Sequence, residues 1–425
     1  MGTTTREQPA ARGIITFVIG LFFVWGFSTV LLDSLIPKLK ALFSLSYAEV
    51  MLSQFCFFLA YFVFSIPAAI LLGRVGYMRA IVIGLVVMAL GCLGFAPAAS
   101  LGTFGGILVA LFVMASGITL LQVAANPLVA VLGAPSSSSS RLTLAQAFNS
   151  LGTAIGPIVG ARLILGATSG VAPDPATAAP AVLAAFRRAE IHLVEIPFLG
   201  IAAILLSLAV IFWLLRRSPG IPGAETVQYH PGVMARLLRR PRLMIGVAAI
   251  FVYVGAEVTI GSLMTNYLMQ PSRLGLAAAL AGRYVGLYWT GAMVGRFLGS
   301  YMLRVWPPGA VLGVFALGAA LLVAVSAGSQ GVISATAIIA VGLFNSIMFP
   351  TIFTMAIAGL DEDTPQASGL LCMAIVGGAI IPWVSGIVAD HNGLASALLV
   401  PVCCYLFIAG YGLSANPLKQ EGNRP

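Results

Sequence analysis

Long apolar stretches alternate with short polar segments along the whole chain. A transmembrane helix requires about 20 predominantly apolar residues. Twelve stretches meet this requirement, and we number them span 1 to span 12. They cover approximately residues 13–36, 49–72, 78–98, 103–132, 142–166, 192–215, 243–269, 280–303, 308–327, 331–359, 366–389 and 394–415. The pattern therefore predicts an all-α membrane protein with twelve transmembrane helices.

A polar segment at residues 216–242 divides the spans into two groups of six. Its sequence, RRSPGIPGAETVQYHPGVMARLLRRPR, is rich in arginine and is interrupted by proline and glycine, so it is unsuited to crossing a bilayer. We expect a first half at residues 1–215, a cytoplasmic linker at 216–242 and a second half at 243–425.

The two halves contain similar sequences at corresponding positions. LGTAIGPIVG in span 5 aligns with VGGAIIPWVS in span 11, which pairs Gly152 with Gly377 and Pro157 with Pro382. In span 4 a glutamine precedes a proline by five residues, and in span 10 an asparagine does the same. Because six spans separate the copies, they have the same orientation, as the parallel repeats of major facilitator transporters do. The repeats therefore predict the major facilitator fold, in which two six-helix halves are related by a pseudo-two-fold axis.

Composition and charge fit a membrane protein. The chain is 60% hydrophobic and 8% charged, with a mean hydropathy of +1.03, whereas soluble domains contain about 25% charged residues. If the N-terminus is cytoplasmic, fourteen of the 22 Lys and Arg residues lie on the cytoplasmic side, six on the opposite side and two within spans. The positive-inside rule then predicts a multi-pass protein of the cell inner membrane, surrounded by lipid, with both termini cytoplasmic. This topology explains the net charge of +9, so no nucleic-acid partner is expected.

The sequence lacks the signals of an enzyme. The five cysteines lie in apolar runs without CxxC or Cys/His spacing, so neither disulfides nor a metal site are expected. No nucleophile, metal-binding or phosphate-binding motif is present. We therefore expect no enzymatic activity and no bound cofactor. We also expect the protein to function as a monomer.

Four longer motifs resemble a known family. LLQVAANPLVAVLG (120–133), RLTLAQAFNSLGTAIGP (141–157), YVGAEVTIGS (253–262) and NSIMFPTIF (345–353) are similar to the fucose permease and glucose/galactose transporter family of the major facilitator superfamily. The resemblance covers nearly the whole chain, and the glutamine and the YVGAE stretch look more like the glucose/galactose branch. It implies hexose uptake coupled to protons.

Three residues determine what the resemblance implies about coupling. Asp33 matches the span 1 acid that binds the proton in the family; a solvated carboxylate near the outer end of the span is the alternative. Gln122 stands where fucose permease has a second acid, and a glutamine cannot titrate; a packing amide is the alternative. Glu257 stands where fucose permease has a neutral amide, so we expect it to couple protons as well. Its alternative is an ion pair with Arg296 or Arg283.

Amide side chains are the candidates for sugar binding. Gln146 and Asn149 are three residues apart, so they share a helical face, and they match positions that line the family's sugar site. Asn345 in span 10 adds an amide from the other half. Amides both donate to and accept from sugar hydroxyls. The further substrate-binding candidates are Gln122, Glu257 and Asn126. Asn126 precedes Pro127, where we expect a helix kink whose freed carbonyl is satisfied by a nearby polar side chain. Trp25, Trp289 and Trp383 complete the set, and their rings either stack on the sugar or serve packing and interface anchoring.

Gating is expected on the predicted cytoplasmic side. GRVGYMRA (73–80) resembles the superfamily's loop between spans 2 and 3 without its usual Asp, and GRFLGSYMLR (295–304) stands at the equivalent place in the second half. The acidic segment DEDTP (361–365) is expected to pair with these arginines in the outward-open state; a solvated acidic loop is the alternative. The gating candidates are Arg74, Arg79, Arg296, Arg304 and Asp361.

Coupled sugar symport is the function that these features favour. An uncoupled sugar facilitator needs no intramembrane acid, and a membrane enzyme needs motifs that the chain lacks. Protons are the expected coupling ion. Sodium is the alternative, because Ser28, Thr29 and Ser34 would add oxygen ligands beside Asp33.

Overall fold

A computed structural model describes residues 15–29, 47–100, 104–160, 179–217 and 232–414 of the 425-residue chain. A helix lies in each of the twelve predicted spans, and the described residues contain no strand. Nine of the described helices are long and apolar enough to cross a membrane, and the shorter apolar helix Ile15–Thr29 occupies span 1. The predicted all-α membrane architecture is confirmed.

The first six spans are continuous helices. Their bounds are Ile15–Thr29, Tyr47–Val75, Tyr77–Ser100, Phe104–Val131, Ser138–Gly160 and Pro180–Leu215. Between spans 4 and 5 the guanidinium of Arg141 donates to the carbonyl oxygens of Ala130 at 2.7 Å and Val129 at 3.2 Å. These carbonyls belong to the last turn of span 4, where helical partners run out, so Arg141 caps span 4 and fixes the connection to span 5.

The second half contains several interrupted helices. A short helix, Val233–Leu238, precedes span 7 (Pro241–Met269), span 8 (Ala278–Val305) and span 9 (Pro308–Gly328). Span 10 consists of Gly331–Asn345 and Met348–Ile357, span 11 of Thr364–Met373 and Gly377–Asn392 joined by a 3₁₀ turn, and span 12 of Leu394–Ala397 and Leu399–Ser414. Residues 218–231 of the linker lie outside the described residues, and the boundaries of the two halves stay a prediction.

Pro127 in span 4 releases a carbonyl group that another span then binds. A proline ring displaces the carbonyl four residues earlier from its helical hydrogen bond. Pro127 releases the carbonyl of Val123, which accepts a hydrogen bond from the Ser368 hydroxyl of span 11 at 2.8 Å. The sequence predicts that a nearby polar side chain satisfies this break, and in the structure that side chain comes from the opposite half. Proline breaks therefore create contact points between spans.

The aligned glycines of spans 5 and 11 have the same structural role. A Cβ atom at Gly152 would collide with the carbonyl oxygen of Phe23 in span 1, and a Cβ atom at Gly377 would collide with that of Phe251 in span 7. Spans 1 and 7 occupy corresponding places in the two groups of six. The internal repeat seen in the sequence therefore marks two equivalent close helix crossings.

Spans 5 and 8 cross at the boundary between the predicted halves. The Ser140 hydroxyl donates to the Ser300 carbonyl at 2.6 Å, and the Ser300 hydroxyl donates to the Ser140 carbonyl at 3.1 Å. Ser139 and Thr354 share a hydrogen bond of 2.7 Å between their hydroxyls, and the rings of Phe148 and Phe297 lie 5.8 Å apart in an edge-on arrangement. We call the contacts between spans 5 and 8 the span 5–8 seam; the bond between Ser139 and Thr354 of span 10 lies beside it. The seam joins the halves on the predicted cytoplasmic side.

Candidate functional site

A cavity of about 160 Å³ lies among spans of both halves. Spans 1, 4 and 5 contribute one wall, and spans 7, 8, 10 and 11 contribute the other. The lining residues are Trp25, Gln122, Gln146, Asn149, Tyr253, Val254, Glu257, Arg296, Phe349 and Ile375. Five of the substrate-binding candidates predicted from the sequence thus meet at one place.

The first-half wall presents amides held in place by hydrogen bonds. The Gln122 amide nitrogen donates to the Tyr61 hydroxyl at 2.5 Å, and the Asn149 amide nitrogen donates to the Phe22 carbonyl at 2.9 Å. An amide nitrogen carries two N–H donors. Each of these two side chains therefore has a second N–H donor and an acceptor oxygen in addition to this bond.

Gln146 connects the cavity to a buried amide behind it. Its nitrogen donates to the Asn126 side-chain oxygen at 3.3 Å. Asn126 is completely buried, and its amide nitrogen has no hydrogen-bond partner among the described residues. Asn126 does not line the cavity, so the structure places it as support for Gln146 rather than as a direct ligand contact.

The second-half wall contains a carboxylate held between a phenol and a guanidinium. The Tyr253 hydroxyl donates to Glu257 Oε1 at 2.8 Å. Arg296 Nη2 lies 3.9 Å from the same oxygen, and the two charged side chains are only 13% and 14% exposed. The predicted alternative of a Glu257 to Arg296 pair thus describes the observed geometry.

Arg296 is positioned by the break in span 10. Pro350 displaces the carbonyl of Ser346 from its helical hydrogen bond, and Arg296 Nε donates to that carbonyl at 3.2 Å. Nη1 of the same guanidinium donates to the Ser150 hydroxyl of span 5. Arg296, which the sequence analysis grouped with the gating residues, therefore lies in the cavity wall.

Asn345 lies behind the second-half wall. Its side chain is completely buried and donates to the Tyr288 hydroxyl at 2.6 Å, while its oxygen has no partner among the described residues. Because Asn345 does not line the cavity, the ring of amides predicted from both halves is incomplete in this structure. Glu257 and Tyr253 supply the polar groups of the second half instead.

The three tryptophans occupy different environments. Trp25 lines the cavity and is 5% exposed. Trp289 and Trp383 are 44% and 68% exposed and do not line this cavity. The stacking expectation for these two residues is corrected: their exposed rings correspond to the alternative of packing or interface anchoring.

Asp33, the predicted proton-binding residue of span 1, lies outside the described residues. Its role stays a prediction.

The acidic loop pairs with the linker. Asp363 and Arg236 form an ion pair with an oxygen to nitrogen distance of 2.8 Å. Arg74, Arg79 and Asp361 are exposed, and none of these three has an ion-pair partner among the described residues. In this structure the acidic segment 361–365 therefore pairs with Arg236, on the short helix before span 7, and not with the arginines predicted from the sequence.

Arg304 lies at the seam, where its Nε donates to the Ser140 hydroxyl at 3.2 Å. This places it against the first half, on the predicted cytoplasmic side. Its gating role stays a prediction.

Sequence reasoning missed Tyr253, Tyr61 and Ser150. Tyr253 precedes Glu257 by four residues, which is the spacing of neighbours on one helical face, so the pair was detectable. Tyr61 and Ser150 contact residues on other spans, and no local pattern reports such contacts. The described residues contain no group of three or more His, Cys, Asp or Glu that would hold a metal ion.

Comparisons with known proteins agree on one family. A model of the Major Facilitator Superfamily matches residues 17–382. The glucose/galactose transporter of Brucella abortus is 46% identical over 97% of this chain and 96% of its own length, and the L-fucose-proton symporter of Escherichia coli is 35% identical over 96% and 97%. The crystal structure of the transporter FucP in the outward conformation superposes with a TM-score of 0.88 at 32% identity, covering 96% of this chain and 99% of that one.

Proposed function

The chain belongs to the major facilitator superfamily, and we propose that it imports hexoses of the glucose/galactose type together with protons by alternating access. Membership in this family makes it a multi-pass membrane transporter. Its similarity to a glucose/galactose transporter and to an L-fucose-proton symporter supports a sugar substrate.

One observation carries the proposal: the cavity places amides of the first half opposite a carboxylate, a phenol and a guanidinium of the second half. Each sugar hydroxyl donates one hydrogen bond and accepts others, and amides offer both functions. Glu257 adds an acceptor and Arg296 adds donors. A polyhydroxylated ligand therefore finds matching groups on both walls.

The charge and size of the cavity favour a small neutral ligand. Its described lining contains one carboxylate, Glu257, and one guanidinium, Arg296, whose charges balance. Its volume of about 160 Å³ limits the ligand to a small molecule. The Trp25 ring adds an apolar surface for the face of the sugar.

The position of the acid favours glucose and galactose over fucose. Gln122 is neutral and is bonded to Tyr61, whereas the acid of this cavity is Glu257 in the second half. The resemblance associates this arrangement with the glucose/galactose branch. Glu257 and Asp33 are the residues that we propose to carry the coupling proton.

The substrate proposal is tested by binding and exchange with purified protein. Glucose, galactose, mannose and fucose are titrated by calorimetry, and exchange of labelled sugar is measured in proteoliposomes. We expect glucose and galactose to bind and exchange, and fucose to do so more weakly. Preference for fucose would contradict the assigned branch, and failure of all four sugars would contradict the proposed function.

A further inference from the structure

Arg296 contacts three different spans with one guanidinium. Two contacts stay within the second half: Nη2 faces Glu257 of span 7 at 3.9 Å, and Nε donates to the Ser346 carbonyl of span 10 at 3.2 Å. The third contact crosses between the halves, from Nη1 to the Ser150 hydroxyl of span 5. When the halves separate, Arg296 stays with the second half and loses Ser150.

The crossing contact lies where the cavity meets the span 5–8 seam. Arg296 and Asn149 line the cavity, and Ser150 is 4% exposed beside Asn149. From Ser150 the seam continues toward Ser140, ten residues earlier on span 5, a distance of about 15 Å along the helix. The bond between Arg296 and Ser150 therefore extends the span 5–8 seam to the cavity, where a ligand reaches it.

We infer that a sugar hydroxyl replaces the Ser150 hydroxyl at Arg296, so that substrate binding removes a contact between the halves. This inference rests on the proposed function. A ligand that touches Asn149 of span 5 and Arg296 of span 8 together must lie between these spans. At present the bond from Nη1 to Ser150 closes that gap.

Because of this exchange, the ligand interacts differently with the closed and the open span 5–8 seam. A ligand shifts a conformational equilibrium only by the difference in its interactions with the two states. In the closed state the sugar must break the bond between Arg296 and Ser150, whereas in the open state that bond is already absent. The contacts of Arg296 within the second half stay in place in both states. The bonds between Ser140 and Ser300 remain, so the sugar lowers the cost of opening without opening the seam alone.

The test measures hexose affinity in full-length variants by calorimetry with glucose. Ser150→Ala removes the competing hydroxyl, so we expect glucose to bind about threefold to tenfold more tightly, the range that corresponds to one hydrogen bond. Thr153→Ala is the matched control, because its hydroxyl donates to the Ser150 backbone carbonyl at 2.8 Å rather than to Arg296. Ser140→Ala is the seam control. We expect the affinity of both controls to stay within twofold of the native value.

A tightening shared equally by Ser150→Ala and Ser140→Ala would overturn the inference, because it would come from a looser seam. Unchanged or weaker binding by Ser150→Ala would overturn it as well. In an Arg296→Met background we expect Ser150→Ala to change nothing, and a persisting gain would count against the contact; if that background fails to fold, the comparison of the two serine variants still decides. A native protein that binds no hexose would overturn the proposed function and this inference together.

Discussion

Removing the hydroxyls of Ser140 and Ser300 should open the span 5–8 seam. The double variant Ser140→Ala, Ser300→Ala loses the two reciprocal bonds of 2.6 and 3.1 Å. It also loses the hydroxyl that accepts from Arg304 Nε at 3.2 Å, but Arg304 is exposed and its Nε then donates to water. Both acceptor carbonyls lie inside helices and keep their helical partners, so no buried acceptor is left unpaired. Each bond then contributes only its net value, about 0.5–1.5 kcal/mol. Together they stabilise the closed seam by about 1–3 kcal/mol, which is about 5-fold to 150-fold in population.

A distance measurement between spin labels reports this change. We would label Ser136→Cys and Glu362→Cys, two exposed positions that lie in different halves on the predicted cytoplasmic side. The exposed Cys403 and the half-buried Cys56 are replaced by serine to avoid background labelling. We expect one short-distance population in the labelled parent, and an additional longer-distance population in the seam variant.

A second pair of serines provides the control. Ser326 and Ser334 are buried and bonded to each other within the second half, where the Ser334 hydroxyl donates to the Ser326 carbonyl at 2.8 Å. Ser326→Ala, Ser334→Ala removes a similar number of hydroxyls without touching the seam. Identical distance distributions in the parent and the seam variant would refute the role assigned to these serines, and so would equal changes in both double variants.

Three further outcomes follow from the site and the fold. Asp33→Asn should abolish gradient-driven sugar accumulation and preserve exchange, which needs no net proton release; undiminished accumulation in proteoliposomes would remove Asp33 from the coupling scheme. Gln146→Ala should weaken glucose binding by about 1–3 kcal/mol in calorimetry, because Asn126 and the sugar both lose a partner; native affinity would place the sugar elsewhere. Gly152→Val should lower the thermal unfolding temperature of the purified protein, since its side chain meets the Phe23 backbone; an unchanged temperature would mean that spans 1 and 5 are not closely packed.

The sequence predicts the spans well because each one requires a long apolar run, and it fails where polar residues extend a helix. Span 6 begins at Pro180 rather than near residue 192. The intervening FRRAE stretch is too polar to register in a hydropathy pattern, but it continues the helix. Span 10 breaks at Ser346 and Ile347, which a hydropathy pattern does not register. The cause, Pro350, is visible in the sequence.

The candidate site is only partly readable from the sequence. Gln146, Asn149 and Glu257 were identified by residue type and position, and the structure brings them to one cavity. Asn345 also carries an amide, but its side chain is buried and donates a hydrogen bond to the Tyr288 hydroxyl instead of lining the cavity. The contact between Arg296 and Ser150 depends on how spans 5 and 8 cross, which no local pattern of either span determines.

The most direct measurement of the central claim is glucose accumulation in proteoliposomes under an imposed proton gradient without sodium. We predict that labelled glucose reaches a higher concentration inside than outside, that a proton-conducting ionophore abolishes this excess, and that a sodium gradient alone produces none. Equilibration without accumulation would identify an uncoupled facilitator. Accumulation that requires sodium would contradict proton coupling.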